Sequence, residues 1–239
     1  GKNRLFDVHS TKDSQVYLGL ESETEKTTKA VRSTRSLALF YKNNLIDAVF
    51  HSSSGGRTEN SGQVWKYQLP YLKSVIDYDQ DSTKYRWSRK ITSMELDKLF
   101  TSLGGLNGIQ IIDKSNTNRV LEIIIYGPNG SKNISGKNLR EKLQLLSTKF
   151  EVYMKFNELN RVDSFDDKNI LDFDTEIVND IANFPLPVIP KDYFLLVEGY
   201  GAGHGVGMSQ WGVKAMAERG FSFREILKHY YTGVQIKAY

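Results

Sequence analysis

Residues 199–212, with the sequence GYGAGHGVGMSQWG, dominate the organisation of this chain because six of these fourteen residues are glycine. Glycine is unfavourable in ordered structure unless its freedom is used, for a positive φ angle or for close approach of another segment. An apolar run, residues 192–198, precedes the stretch, and a helical pattern, residues 209–219, follows it. The sequence therefore predicts a strand, a glycine loop and a helix, with a functional site in the loop.

The spacing of these glycines argues against a nucleotide site. Glycine at every second position from 199 to 207 never gives the Gly-x-Gly-x-x-Gly pattern, and no phosphate loop ending in Gly-Lys-Ser or Gly-Lys-Thr follows. His204 lies between two glycines, so a ligand can approach its imidazole, which exchanges a proton near neutral pH. The alternative for His204 is a structural histidine that is hydrogen-bonded to buried backbone.

A second candidate loop lies nearer the start of the chain. Residues 36–41 and 45–50 are apolar runs joined by two asparagines, and they predict a β-hairpin. The hairpin leads into residues 51–56, HSSSGG, whose hydroxyl groups and glycines suit hydrogen bonding to a sugar. The structural alternative is a turn whose serines bind their own backbone.

The rest of the chain predicts an α+β fold in a single domain, residues 1–239. Capping boxes begin helices at Thr92 and Ser222, and apolar alternation predicts a strand over residues 150–156. Because strands pair locally and helices interrupt them irregularly, we expect a mixed, largely antiparallel sheet with several short helices. Residues 157–191 are rich in aspartate and then proline. They predict a polar surface insertion and lack the ligand spacing of a calcium loop.

Composition excludes several classes of protein. The net charge of +4 is mild, the Lys and Arg residues are scattered, and no nucleic-acid-binding signature appears, so we expect no nucleic-acid partner. Without cysteine there are no disulfides or thiolate metal sites, and no apolar run is long enough to span a membrane. The chain begins at Gly1 without a signal core, which predicts a processed or truncated piece.

Several motifs, in order, resemble the stage II sporulation protein D family, which includes the amidase-enhancer proteins of bacterial cell-wall turnover. The ending at residues 225–233 (EILKHYYTG) extends the similarity through most of the chain. The motifs are residues 51–60 (HSSSGGRTEN) with Trp65 and residues 70–72 (PYL), residues 134–137 (ISGK) with 139–140 (LR), residues 146–150 (LSTKF), and residues 203–212 (GHGVGMSQWG).

The resemblance implies a protein of the bacterial cell envelope, outside the cytoplasm, that acts on peptidoglycan glycan strands by lytic transglycosylation. One carboxylic acid protonates the glycosidic oxygen, and the sugar's own hydroxyl closes an anhydro ring, so no cofactor is expected. A cell-wall amidase is the implied partner. Some family members carry a metal site of two cysteines and a histidine, but only His9 remains here, so we expect no metal.

The catalytic residue stays unassigned. The family's glutamate lies upstream of the segment that resembles residues 7–19, and no position here matches it. Glu59 is a weak candidate, and its alternative role is to hold its own loop together. Two functions therefore remain open: a truncated lytic transglycosylase, or a non-catalytic module that binds glycan or activates an amidase.

We expect the two loops to lie on one groove. We also expect Trp211 to pack inward and anchor the glycine loop, although an exposed indole is also a good platform for a sugar. The predicted substrate-binding residues are His51, Ser53, Ser54, Gly55, Glu59, Lys137, Arg140, His204, Ser209 and Gln210.

Overall fold

The computed structural model describes residues 16–156 and 193–239. Contacts divide the chain into two compact units, one of Gly1–Ile46 with Val234–Tyr239, and one of Asp47–Gly233. The predicted insertion at residues 157–191 and the residue His9 lie outside the described residues. Their assignments, and the boundaries of a single domain, stay predictions.

The described part of the smaller unit contains one α-helix, a short 3-10 helix (Leu20–Ser22) and a three-stranded antiparallel sheet. Helix α1 (Glu25–Ser33) begins at Thr24, which forms a capping box with Thr27. Strand β1 (Leu37–Tyr41) pairs with β2 (Asn44–Leu45) on one side and with the C-terminal strand β11 (Gln235–Ala238) on the other. The predicted hairpin is therefore right in its turn, but its second strand ends at Leu45 instead of reaching Phe50.

The larger unit contains three small sheets. Two are three-stranded and antiparallel, with the orders β4-β9-β8 and β5-β6-β7, and β3 forms a parallel pair with β10. These strands are β3 (Phe50–His51), β4 (Arg86–Thr92), β5 (Gly108–Lys114), β6 (Val120–Gly127), β7 (Gly130–Ser135), β8 (Phe150–Phe156), β9 (Tyr193–Tyr200) and β10 (Met208–Ser209). The α+β class with mostly antiparallel pairing is confirmed, and the described strands form four small sheets in all.

Five short helices complete the larger unit. Serine or threonine hydroxyls accept a backbone N–H at the start of four of them, as the sequence predicts for Thr92, Ser135, Ser209 and Ser222. Among the described residues, no helix has the length and apolarity needed to cross a bilayer. The helices are α2 (Ser61–Val64), α3 (Ser93–Leu99), α4 (Gly136–Lys142), α5 (Gln210–Glu218) and α6 (Phe223–Tyr230).

The main apolar core lies where the two antiparallel sheets of the larger unit meet α3 and α4. It includes Ile91 from β4, Ile123 and Ile125 from β6, Leu139 from α4 and Leu195 from β9, all fully buried. Helix α4 approaches the sheet closely, since a Cβ added at its first residue would lie 2.0 Å from a β6 carbonyl oxygen. This core supports the ends of β4 and β9, from which the candidate site projects.

The burial of Leu139 in this core predicts a large loss of stability when its side chain is shortened. We expect Leu139→Ala to lower the free energy of unfolding by about 2 to 5 kcal/mol, because a buried side chain is lost and a cavity remains. The exposed neighbour on the same helix provides the control, and Asn138→Ala should change stability by less than about 0.5 kcal/mol. Urea unfolding followed by circular dichroism measures both, and equal effects would contradict this description of the core.

Candidate functional site

Two loops that are far apart in sequence contact each other directly. We call residues 51–59 the serine loop and residues 199–207 the glycine loop. Ser53 and Ala202 exchange two backbone hydrogen bonds, of 3.1 and 2.7 Å, and the Glu59 N–H donates to the Gly205 carbonyl oxygen at 2.8 Å. The two loops are therefore adjacent, and the expectation that they line one groove stays a prediction.

The contact between the two loops requires glycine for both predicted reasons, which are a positive φ angle and the close approach of another segment. Gly201 and Gly207 have positive φ angles, 70° and 71°. A Cβ on Gly201 would lie 2.5 Å from the carbonyl oxygen of Ser53, and one on Gly207 would lie 2.2 Å from that of Val49. Larger residues at these positions would push the two segments apart.

Asp79, which the sequence analysis did not identify, binds the serine loop through its side chain. Its buried carboxylate accepts hydrogen bonds from the Ser53 hydroxyl at 2.5 Å and from the backbone N–H groups of Gly55 and Gly56, both at 2.8 Å. Hydrogen bonds to an ionised acceptor are stronger than those between neutral groups. Asp79 therefore fixes the conformation of the loop.

A second buried carboxylate, that of Asp77, links the serine loop to the C-terminal helices. It accepts hydrogen bonds from the Ser54 hydroxyl at 2.6 Å and from the Tyr230 hydroxyl at 2.5 Å. Burial and the neighbouring Asp77 charge raise the pKa of Tyr230 well above its usual range. A Cβ on Gly212 would lie 1.8 Å from an Asp77 oxygen, so α5 approaches this carboxylate closely.

Glu59 has the structural role that was its alternative in the sequence analysis. Its side chain is 0% exposed and accepts hydrogen bonds from the Asn60 N–H at 2.7 Å, from the Ser115 hydroxyl at 2.5 Å and from the Thr117 hydroxyl. A carboxylate that is fully buried and bound by three internal donors does not reach a bound sugar. The geometry therefore does not support Glu59 as the catalytic acid.

Arg119, which the sequence analysis also missed, is a buried cation between the loops. It is 1% exposed and donates from Nη2 to the Ser54 carbonyl oxygen at 2.9 Å. Its guanidinium fills the space beside Gly205, where a Cβ would lie 2.2 Å from Nη2. Burial lowers the pKa of Arg119 to about 10, against the opposing effect of the Glu59 charge, so Arg119 is a cation at neutral pH. Its Nε and Nη1 atoms have no hydrogen-bond partner among the described residues.

The contacts of His204 also fit the structural role that the sequence analysis gave as its alternative. The Val206 N–H donates to Nδ1 at 3.1 Å, so the ring proton is on Nε2, which donates to the Phe50 carbonyl oxygen at 3.0 Å. Burial lowers the pKa of this ring, and the nearby charges of Arg119 and Arg140 lower it further. His204 is therefore a neutral imidazole in a fixed orientation, with both nitrogens bound to backbone.

His51 is buried next to His204, with the two ring centroids 5.4 Å apart. Its Nδ1 lies 3.1 Å from the Val206 carbonyl oxygen and therefore carries the proton, while Nε2 has no partner among the described residues. Burial first, and then the charges of His204 and Arg119, lower the pKa of His51 to about 3.

The remaining predicted site residues are Ser209, Gln210, Arg140 and Lys137. The buried Ser209 hydroxyl accepts the Gly212 N–H at 3.2 Å and caps α5, whereas the next residue, Gln210, is exposed. Arg140 is half-buried and donates from Nε to the Leu145 carbonyl oxygen at 3.2 Å. Lys137 is exposed on α4, with its Nζ 4.0 Å from Glu141. Of these four residues, Gln210 and Lys137 are exposed to solvent.

The prediction that the serine hydroxyls contact substrate needs correction. Ser53, Ser54 and Ser209 are fully buried, and their hydroxyls bind protein groups, so the structural alternative fits them better. Lys149, from the motif at residues 146–150, contributes a contact that was not predicted, because its Nζ donates to the Gly55 carbonyl oxygen at 2.7 Å. The loop interior is thus a structural network, and the exposed rim of the two loops is the part that is accessible to a ligand.

Trp211 is half-buried, which does not decide between an anchor and a sugar platform. Its backbone N–H donates to the Ser52 carbonyl oxygen at 3.1 Å, and the Lys214 Nζ lies 5.3 Å from the centre of its ring. The start of α5 is therefore tied to the serine loop through backbone. The role of the indole itself stays a prediction.

A separate cavity of about 560 Å³ lies in the larger unit, away from both loops. Leu99 and Phe100 from the end of α3, Ile134 from β7, and Asn138 and Lys142 from α4 are among its lining residues. No residue of the serine loop or the glycine loop lines it. The candidate site is therefore a surface and not this cavity.

The contact between Gly205 and Arg119 predicts an unequal effect of two alanine substitutions. Gly205 and Gly220 both have positive φ, 81° and 88°, but a Cβ on Gly220 meets nothing within 4 Å. Gly220→Ala should cost about 1 to 2 kcal/mol of backbone strain. Gly205→Ala should cost about 1 to 3 kcal/mol more, because the methyl group displaces the guanidinium. Urea unfolding measures both, and equal losses would refute the close contact.

The neutral state of His51 predicts that stability depends on pH. Its pKa falls from 6.5 to about 3 on folding, so acid favours the unfolded state, and stability is lost progressively as the pH falls from 6.5 towards 3. Between pH 7 and pH 5 the wild type should lose about 2 kcal/mol more than His51→Gln, which cannot titrate. Urea unfolding at the two pH values measures this difference. Identical pH dependence would show that His51 is readily protonated in the folded protein.

Comparison with known proteins finds relatives that align with nearly the whole chain. It is 33% identical over 239 residues to the stage II sporulation protein D of Bacillus subtilis, and 34% identical over 240 residues to that of Bacillus amyloliquefaciens. Each alignment covers 98% of this chain and 58% of the relative. The amidase enhancer of Bacillus subtilis is 28% identical over 252 residues, which cover 97% of this chain and 35% of that protein.

The searched family models contain no match to this chain. The chain spans a little over half the length of the two sporulation proteins, so the similarity describes a part of those relatives. Within that part it runs through all the motifs of the serine and glycine loops. The chain is thus a homologue of stage II sporulation protein D and of the amidase enhancer over nearly its whole length, which confirms the family that its motifs predict.

Proposed function

We propose that this chain binds peptidoglycan glycan strands at the exposed rim of the serine and glycine loops. The observation that carries the proposal is the interlocking of these loops by backbone hydrogen bonds at Ser53 and Glu59. Three buried charged side chains hold this arrangement: Asp79 and Asp77 bind the serine loop, and Arg119 lies between the two loops. Such an arrangement costs stability, since buried charges must be desolvated. A fold that keeps them gains a rigid surface, which reduces the entropy lost on binding a ligand.

The rim offers groups suited to a neutral carbohydrate. Trp65 and Tyr200 are partly exposed aromatic rings, and Gln210 is an exposed amide that both donates and accepts hydrogen bonds. Indole and phenol rings combine an apolar face with a polar atom, which matches a sugar ring with its apolar C–H face and hydroxyl rim. The names of the relatives, which refer to sporulation and to amidase enhancement, agree with a ligand in the cell wall.

Lytic transglycosylation needs a carboxylic acid beside the glycosidic oxygen. Among the described residues, the carboxylates that bind the serine loop are Asp77 and Asp79, and Glu59 belongs to that loop. All three are fully buried and bound to internal donors. We therefore assign strand binding to this site. Cleavage by the whole protein is a further proposal, in which an acid outside the described residues acts on a strand that these loops hold.

The second candidate function is activation of a cell-wall amidase without chemistry of its own. The relative that is named as an amidase enhancer favours it, at 28% identity over 97% of this chain. This candidate predicts that the chain raises the rate of a purified peptidoglycan amidase even when its own binding to stem-free glycan strands is weak.

One experiment separates these functions. The chain is incubated with glycan strands stripped of their stem peptides; strand retention is measured by co-sedimentation, and anhydro-ended products by mass spectrometry. We expect retention without anhydro ends, because the site binds hydrogen-bonding groups but places no acid at the bond. Lys98→Ala, at an exposed position on α3 outside the two loops and outside the predicted site residues, is expected to leave retention unchanged and provides the control.

Failure of the wild-type chain to retain glycan strands would refute the proposal. Acceleration of an amidase by a chain that does not retain strands would favour the second candidate. Anhydro-ended products would show that this chain supplies its own acid.

A further inference from the structure

Trp65 differs from the other two tryptophans of the chain. It follows α2, where its backbone N–H donates to the Ser61 carbonyl oxygen at 2.8 Å, and its side chain is 40% exposed. The Trp65 Nε1 group has no hydrogen-bond partner among the described residues. By contrast, the Trp87 Nε1 donates to the Gly201 carbonyl oxygen at 2.8 Å, and Trp87 is therefore part of the loop structure.

His204 supports the Trp65 indole. The two ring centroids are 5.2 Å apart, and the ring planes meet at 51°. Backbone groups bind both nitrogens of His204, so the imidazole cannot rotate without breaking two hydrogen bonds. Trp65 is thus an exposed aromatic group that rests on a fixed, neutral ring of the glycine loop.

The groups near this indole favour a ligand that carries hydrogen-bonding groups. His204 carries no charge at neutral pH, because burial lowers its pKa. Arg140 lies near the glycine loop. Its Nε donates to the Leu145 carbonyl oxygen at 3.2 Å, and the carbonyl oxygen of the next residue, Leu146, accepts the Gly203 N–H at 2.9 Å. The two Nη groups of Arg140 have no hydrogen-bond partner among the described residues. These N–H donors suit the hydroxyl or amide oxygens of a sugar, while the indole suits its C–H face.

We propose that Trp65 is a sugar-stacking residue of the site, and that one pyranose ring of the glycan strand lies on the exposed part of its indole while His204 holds the indole in position. This inference rests on the proposed function and assigns one binding position to it. Trp65 contacts substrate in this account, and His204 is a positioning residue that acts through the contact between the two rings.

The test uses three substitutions and purified stem-free glycan oligosaccharides, with the dissociation constant measured by isothermal titration calorimetry. Trp65→Ala should raise the dissociation constant about tenfold or more, and Trp65→Phe should raise it less, because a smaller aromatic face remains. Tyr67→Ala is the matched control. Tyr67 is 67% exposed two residues further on and packs under the Lys66 Nζ instead of against His204, so its removal should leave affinity unchanged.

Tryptophan fluorescence provides a second readout that does not depend on the alanine variant being folded. The wild type should show a change in emission on binding the oligosaccharide, and Trp65→Phe, which keeps Trp87 and Trp211, should lose most of it. A full change in Trp65→Phe, or equal affinities for the wild type and a folded Trp65→Ala, would overturn the assignment of Trp65 alone. Absence of binding by the wild type would overturn the proposed function and this inference together.

Discussion

The carboxylate of Asp79 is the constraint on which the candidate site depends. It binds one hydroxyl and two consecutive backbone N–H groups, and the positive φ angles of Gly55 and Gly56, 74° and 95°, direct those N–H groups towards it. Removing a buried acceptor leaves its donors unsatisfied, at a cost of about 1 to 3 kcal/mol for each group. The loop therefore has one stable conformation, and the opposite face of the same peptides is free to bind Lys149.

The glycine loop depends on the serine loop in turn. Backbone hydrogen bonds at Ser53 and Glu59 attach it, and the Arg119 guanidinium fills the gap between the two loops. His51 Nε2 and two nitrogens of Arg119 have no hydrogen-bond partner in the described part of the chain. A protein selected for stability alone would not retain such groups, and departures from full polar satisfaction concentrate at functional sites. This concentration agrees with a site built for rigidity at its surface.

Local features of the site could be predicted from sequence, and its interior could not. Alternating glycines between an apolar run and a helix indicate the glycine loop, and Ser209 and Ser222 mark helix starts, because these signals act within a few residues. Asp77 and Asp79 contact the serine loop across more than twenty residues of sequence, and a carboxylate gives no local sign of which way it points. Short hydroxyl side chains look the same in sequence whether they face water or a buried carboxylate. The sequence therefore left open whether the serine hydroxyls bind a sugar or groups of the protein itself. The length of the second hairpin strand was overestimated. Phe50, its predicted last residue, belongs to β3, which pairs with β10 from the other end of the chain.

The central claim is that the rim of the two interlocked loops binds a glycan strand. A crystal structure of the chain with a stem-free glycan tetrasaccharide tests it most directly. The account predicts electron density for sugar rings along the rim, next to Trp65 and Gln210, with the buried network of Asp77, Asp79 and Arg119 unchanged. Sugar density in the cavity between α3, β7 and α4, with none at the two loops, would contradict it.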